Sequence, residues 1–448
     1  MPAVYPFKAV QYKGGKGDVS AYVAPPYDVL GAEQKAALLK SEPENIVGID
    51  LPHVPAKELG APEVYAGAAK ELASMLSGGS LSERDQPAMF AYRESFEVDG
   101  ASFQRVGMAC TIETQPLGPR EGGGVLPHEQ TFSGPKADRM ALMQATKTQL
   151  SPIFGLHPDD AGEASAVVRG VTESRSADMT ATLADGVKHE VWTVDDEPTM
   201  RAYTEALRGE DVFIADGHHR YNTAVNYLAH LVDEGDVPAD HRARRTMFVL
   251  VSMSDPGLYI GPTHRVLGGM KHYSIDAFQK AAEGILEIQP CGNDPQRFNA
   301  EIEHAAASAD GRNVLGLMDF ATGLCFVASP AIRDPLEDQF PDKPIAWRTL
   351  DVALVQHLIV DEICKPTLND GEDVKWAFPH SIDEVMQIGR GGETGAGGGS
   401  GFAQLALIVR PTPMDAVRDV SHANELMPQK STFFYPKLAT GLFVNPLA

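Results

Sequence analysis

The chain has 448 residues, too many for one simple hydrophobic core, so two or three subdomains are expected. Its 38 Lys and Arg against 61 Asp and Glu leave a net charge of −23, which repels nucleic-acid backbones and points away from DNA or RNA as partners. With no uncharged apolar run of about 18 residues, and with Cys110, Cys291, Cys325 and Cys364 too scattered for a zinc site or a disulfide framework, the composition points to a cytoplasmic protein without a membrane span.

Met1-Pro2-Ala3-Val4-Tyr5-Pro6 has neither a basic nor an apolar stretch, so no secretory leader is expected. Pro25 and Pro26 make residues 21–30 extended, and Asp28 can cap the helix expected over 32–40. Ile46 to Leu51 reads as a buried strand, and 64–76 as a helix closed by Gly78-Gly79. Alternating runs 88–98 and 101–113, joined by Asp99-Gly100, predict a hairpin.

Gly134-Pro135-Lys136 opens a helix running to about 149, and 151–156 is extended. No structure is assigned to 157–185, a polar, weakly alternating stretch; 188–194 reads as a strand and 198–207 as a helix. Farther on, 246–253 reads as a buried strand, 274–310 as mainly helical, and 314–318 with 325–328 as a second hairpin. Helices are expected over 347–363, 382–388 and 414–420, and a strand over 402–410. The glycine-rich 391–401 lacks the Lys and the strand–loop–helix context of a phosphate loop and reads as a surface loop. Irregular alternation with several hairpins gives a mixed class, α/β to α+β. Three segments are expected: 1–115, 116–270 with an insertion at 157–205, and 271–448.

Between the helix over 198–207 and the strand over 246–253, Val212-Phe213-Ile214-Ala215 reads as a short strand. It meets Asp216-Gly217-His218-His219-Arg220 and then an apolar stripe of Tyr221, Ala224, Val225, Leu228 and Val232 at helical spacing. Asp216 reads as the N-cap, and Gly217 permits close approach to the backbone. A helix start beside a guanidinium suits a phosphate, whereas the same residues could equally form a solvated turn.

Two further polar segments are not explained by core packing: Pro127-His128-Glu129-Gln130 and Lys430-Ser431-Thr432. Glu129 reads as a general base or a turn cap, and Lys430 to Thr432 as a phosphate contact or a strand start. His218 and His219 are adjacent and point in different directions. Together the three segments supply the parts for phosphoryl transfer: a base, a metal or phosphate corner, and cations.

Ala-Pro-Pro-Tyr-Asp-Val at 24–29, Pro-His-Glu at 127–129, Ala-Asp-Gly-His-His-Arg-Tyr at 215–221, Thr-His-Arg-Val at 263–266 and the closing 427–438 segment follow one another along nearly the whole chain. In this order they resemble the family catalogued as domain of unknown function 1015, whose name carries no activity. The 127–130, 216–220 and 428–432 segments are also similar to those of free-serine kinases, which have the ParB/sulfiredoxin fold. That resemblance implies a ParB/sulfiredoxin-like core with N-terminal and internal elaborations, and transfer of a phosphoryl group from ADP or ATP to a small hydroxyl acceptor, L-serine above all. It implies Glu129 as base, with Asp216, Gly217, His218, His219 and Arg220 on nucleotide phosphates and Mg2+. Asp216 and His218 are the metal candidates, and Arg220 would also neutralise the transferred group. Lys430, Ser431 and Thr432 would lie near phosphate. His264, Arg265, Tyr27 and Asp28 are weaker candidates for the acceptor. His218 stands where sulfiredoxins carry their cysteine, which removes thiol chemistry. The alternative is a non-catalytic nucleotide-binding or regulatory protein.

Overall fold

Asp99 and Gly100 take positive φ, 50° and 77°, the geometry a two-residue hairpin turn requires. They join strands β1 (Met89–Val98) and β2 (Ala101–Glu113), paired from Val98↔Ala101 to Phe90↔Ala109. The computed structural model describes residues 2–448 except 56–57, 130–132, 310 and 393–400, so Gln130 and most of the glycine-rich loop lie outside the described residues.

The chain packs as two units, one made of Met1–Tyr259 with Phe434–Ala448 and the other of Ile260–Phe433. The first is built on a mixed sheet that continues from β2 through β6 (Arg245–Ser252), β4 (Ile153–His157) and β5 (Val212–Asp216) to β3 (Val125–Leu126). This sheet combines strands from either side of residue 115, where a boundary is expected from the sequence. Helices α1 (Ser133–Thr146) and α2 (His218–Glu234) pack against each other in the same unit. Under the sheet, Ile214, Tyr221, Phe248, Leu250 and Trp192 share one core, each at most 1% exposed. Full burial of each such side chain contributes about 1.5–3 kcal/mol, so this cluster anchors β5 and the first turn of α2 firmly.

The second unit holds a six-stranded sheet in the order Leu286–Gly292, Cys325–Pro330, Leu315–Asp319, Ala403–Ile408, Arg265–Gly268 and Lys375–Ala377, antiparallel throughout. A helical run, wound as a π helix over Leu354–Leu368, packs its apolar side chains into the core of this unit. The class is mixed α/β with several sheets.

Three stretches differ from expectation. Val47–Asp50 is a short helix, not a strand: buried Asn45 binds the carbonyls of Ala21 and Val23 through Nδ2, and its Oδ1 accepts from the Val47 N–H, starting a helical turn. Residues 157–185 contain a helix, Glu163–Ser174, and a strand, Met179–Thr182, that pairs with Lys188–Val194. Within 274–310, Gly284 at φ 79° follows the helix Ile275–Ala281, and Leu286–Gly292 becomes a strand against Cys325–Pro330. In each case a distant partner decides a locally ambiguous run.

Candidate active site

Strands β5 and β3 run parallel, Val212 beside Val125 and Phe213 beside Leu126. Parallel pairing sends both chains out at the same sheet end, so Pro127-His128-Glu129 emerges beside Asp216-Gly217-His218 although about 90 residues separate them. Contact follows: the His128 N–H donates to His218 Nε2 at 3.3 Å, and the two rings sit edge to face at 4.7 Å. Burial, then the neighbouring His128, pushes the His218 imidazole well below its ordinary range. It is therefore neutral near pH 7, with Nε2 as acceptor and the ring proton assigned to Nδ1. His128 is lowered too, first by burial, with the charge of half-buried Glu129 acting in the opposite sense.

On the other side of β5 lies β4, antiparallel, with Phe213 opposite Leu156 and Asp216 opposite Phe154. The register slips between Ile214 and Asp216, an irregularity that re-aims the strand end. Asp216 does not cap the helix as expected; Gly217 holds the cap position at φ 99°. A Cβ there would lie 3.1 Å from Arg220 Cζ, because the guanidinium folds back over the turn. Gly217 has no side chain to offer the first N–H groups of α2, which leaves the helix start suited to an anion.

The Asp216 carboxylate is held from two sides. Its Oδ2 accepts from Arg220 Nη2 at 2.5 Å, and its Oδ1 from Lys437 Nζ at 2.7 Å. Burial raises its pKa, but Lys437 and then Arg220 more than offset that and hold the carboxyl well below the usual range. Asp216 thus holds two cations, Arg220 and Lys437, at a helix N-terminus. Arg220 Nη1 also donates to the Pro152 carbonyl. Beyond Arg220 is a cavity of about 40 Å3, lined also by Tyr27, Asp50, Arg139 and Ser151. Arg139 stacks 4.0 Å over the Tyr27 ring and donates to the Asp50 carbonyl at 2.6 Å; Ser151 Oγ donates to Asp50 Oδ2 at 3.0 Å. This explains why Tyr27 belongs near the corner, while Asp28 is exposed and acts on Arg220 only through its charge.

A family model described as "Protein of unknown function (DUF1015)" matches residues 4–353. The chain belongs to the DUF1015 family. No curated protein matches it. Among solved structures it is similar to a free serine kinase variant in complex with AMP, at 12% identity over 73% of this chain and 96% of that one, TM-score 0.32. It is also similar to a conserved hypothetical protein from Pyrococcus furiosus, at 13% identity over 73% and 98%, TM-score 0.32. A third is C-terminally truncated SbnI from Staphylococcus aureus, at 8% identity over 75% and 87%, TM-score 0.33.

In this DUF1015 chain the remaining expected residues fall in the second unit. Lys430 has φ 59°, and its carbonyl accepts from Arg265 Nη2 at 3.0 Å. Ser431 is buried, with Oγ donating to the Pro428 carbonyl and its own carbonyl accepting from Thr412 Oγ1 at 2.6 Å. Thr432 follows, half-buried. His264 is buried, pushed down to about 3 by burial and by Arg265, and its Nδ1 accepts from the Val409 N–H at 3.3 Å. Arg265 thus braces the 429–430 backbone, while His264 is tied to Val409. The lysine that meets Asp216 is Lys437, a member of the closing 427–438 segment to which local sequence assigns no role. Lysine beside proline was the available signal; its partner was not.

Among the described residues no three His, Cys, Asp or Glu side chains gather into a metal-ligating set. Asp216 already accepts from Lys437 and Arg220, and His218 Nε2 faces a backbone N–H. The expected Asp216–His218 pair does not fit a protein-held Mg2+ unless those bonds break. No helix is long and apolar enough to cross a membrane among the described residues.

Proposed function

We propose that this DUF1015 protein is a phosphotransferase that moves the terminal phosphoryl group of ADP or ATP to the hydroxyl of a small acceptor, most simply free L-serine. The observation that carries the reading is the Asp216 corner: a positive helix start, Arg220 folded over it and Lys437 brought in from the far end of the chain. Such preorganised donors stabilise charge that builds on a transferring phosphoryl group. The motif resemblance to free-serine kinases supports the same assignment.

In this reading the N–H groups of His218 and His219 and the side chains of Arg220 and Lys437 bind the phosphates, and Asp216 holds both cations in place. Glu129, carried beside the corner by β3, takes the proton of the acceptor hydroxyl as its oxygen bonds to phosphorus. The bond from phosphorus to the bridging oxygen breaks, and the nucleotide leaves one phosphate shorter. No step runs through a protein-bound metal; Mg2+ belongs in the assay as the ordinary partner of nucleotide phosphates.

The test is to incubate the protein with L-serine, Mg2+ and either ADP or ATP and to follow O-phosphoserine by 31P NMR. Phosphoserine formation supports the kinase. Nucleotide binding without turnover on any hydroxyl acceptor supports the regulatory alternative, and absence of both binding and turnover overturns the site.

A further inference from the structure

Arg105, on β2, is wholly buried, as is Glu94 directly across the hairpin. Arg105 Nε and Nη2 donate to Glu94 Oε2 at 2.9 and 2.5 Å. A buried ion pair of this kind is often no more stabilising than apolar side chains of similar volume, so stability alone does not account for it. Its remaining donors do something a hydrocarbon could not. Nη1 donates to the Tyr435 carbonyl at 3.1 Å and Nη2 to the Pro436 carbonyl at 2.7 Å, the two peptide groups immediately before Lys437. The guanidinium also lies 4.4 Å over the ring of Phe154, the residue opposite Asp216 across β4 and β5.

We propose that Arg105, oriented by Glu94, is a positioning residue that sets Lys437 against Asp216. Resting on the phosphotransferase reading, it assigns Arg105 an indirect part in phosphate binding without contact to any ligand. The path is short: one planar group fixes the backbone of the residue preceding Lys437 and stacks on the strand neighbour of its carboxylate partner. Lysine carries many rotamers, and a fixed Cα is what turns its long side chain into a preorganised cation.

A double-mutant cycle decides between positioning and general structural support. Arg105→Lys and Lys437→Gln are each expected to weaken ADP binding about tenfold, the scale of one charge-assisted hydrogen bond. Arg105→Lys added to Lys437→Gln is expected to cost nothing further, because its effect passes through the lysine. Equal losses in both backgrounds would mean plain destabilisation and overturn the proposal. If Arg105→Lys does not fold, Glu94→Gln takes its place in the same cycle.

A readout independent of activity separates this idea from the kinase reading. After reductive 13C-methylation, the NMR signal missing from Lys437→Gln reports the Lys437 environment directly. Arg105→Lys, or Glu94→Gln in its stead, should shift that signal in a folded protein, even if no nucleotide binds. An unmoved signal would refute the positioning role, whatever the protein's activity.

Discussion

Lys437 Nζ lies 2.7 Å from Asp216 Oδ1, although 221 positions separate the two residues along the chain. The ion pair ties the C-terminal segment to the strand end that opens α2, and it sets a second cation beside Arg220 in an otherwise acidic chain.

Replacing Lys437 by Met removes one of the two cations and leaves Asp216 half-buried with Arg220 alone. ADP affinity measured by calorimetry is expected to fall tenfold or more, about 1.4 kcal/mol or above. Lys437→Arg should recover part of the loss. Unchanged affinity in Lys437→Met would show that the phosphates bind elsewhere.

Glu129→Gln keeps the shape of the proposed base and removes its ability to take a proton. Turnover should drop by about 10²–10⁴-fold while nucleotide Kd stays within twofold. If phosphoserine forms at the normal rate, another group is the base.

Gly217 at φ 99° and a Cβ position 3.1 Å from Arg220 predict that Gly217→Ala strains the turn. A cost of about 1–3 kcal/mol in urea unfolding is expected, together with weaker nucleotide binding as Arg220 is pushed outward. A stable variant with normal binding would argue that the turn is not under steric control.

Buried histidines set the response to acid. His128, His157, His189, His218 and His264 are all lowered from 6.5, chiefly by burial, with His189 and His264 at about 3. Each stays neutral in the native chain but takes a proton near 6.5 once unfolded, so stability is greatest above that pH and falls as pH drops toward the native values. The slope is about 1.4 kcal/mol per pH unit for each histidine at its limit. Asp216, whose pKa is lowered instead by Lys437 and Arg220 against burial, adds a further loss only below its unfolded value of 3.8. The buried carboxyls of Asp50, Glu94 and Asp351, raised chiefly by burial, act in the opposite sense, so the test is differential: from pH 7 to pH 5 the melting temperature of His218→Gln should fall less, or rise more, than that of the unaltered protein, by one histidine's share. An identical pH profile in His218→Gln would contradict neutral burial of that ring.

Much of the site could be read from the chain alone. Val212 to Arg220 announces strand, turn and helix because its apolar run, its Asp-Gly and its helical stripe are all local signals, and the structure buries Tyr221 and Ala224 of that stripe while Val232 is 50% exposed. The Asp99-Gly100 hairpin is legible for the same reason. Tertiary structure alone decides which polar residues meet. Ile46 to Leu51 looks like a strand until buried Asn45 turns it into a helix. Asp216 looks like a cap until Arg220 and Lys437 claim both its oxygens. A carboxylate's partners are set by which strand ends the sheet order brings together, and parallel pairing of Val125–Leu126 with Val212–Asp216 leaves no trace in local spacing. The residue types and the turn were written in the sequence; the pairing of Asp216 with Lys437, and of Arg105 with the peptide groups before it, came from long-range packing.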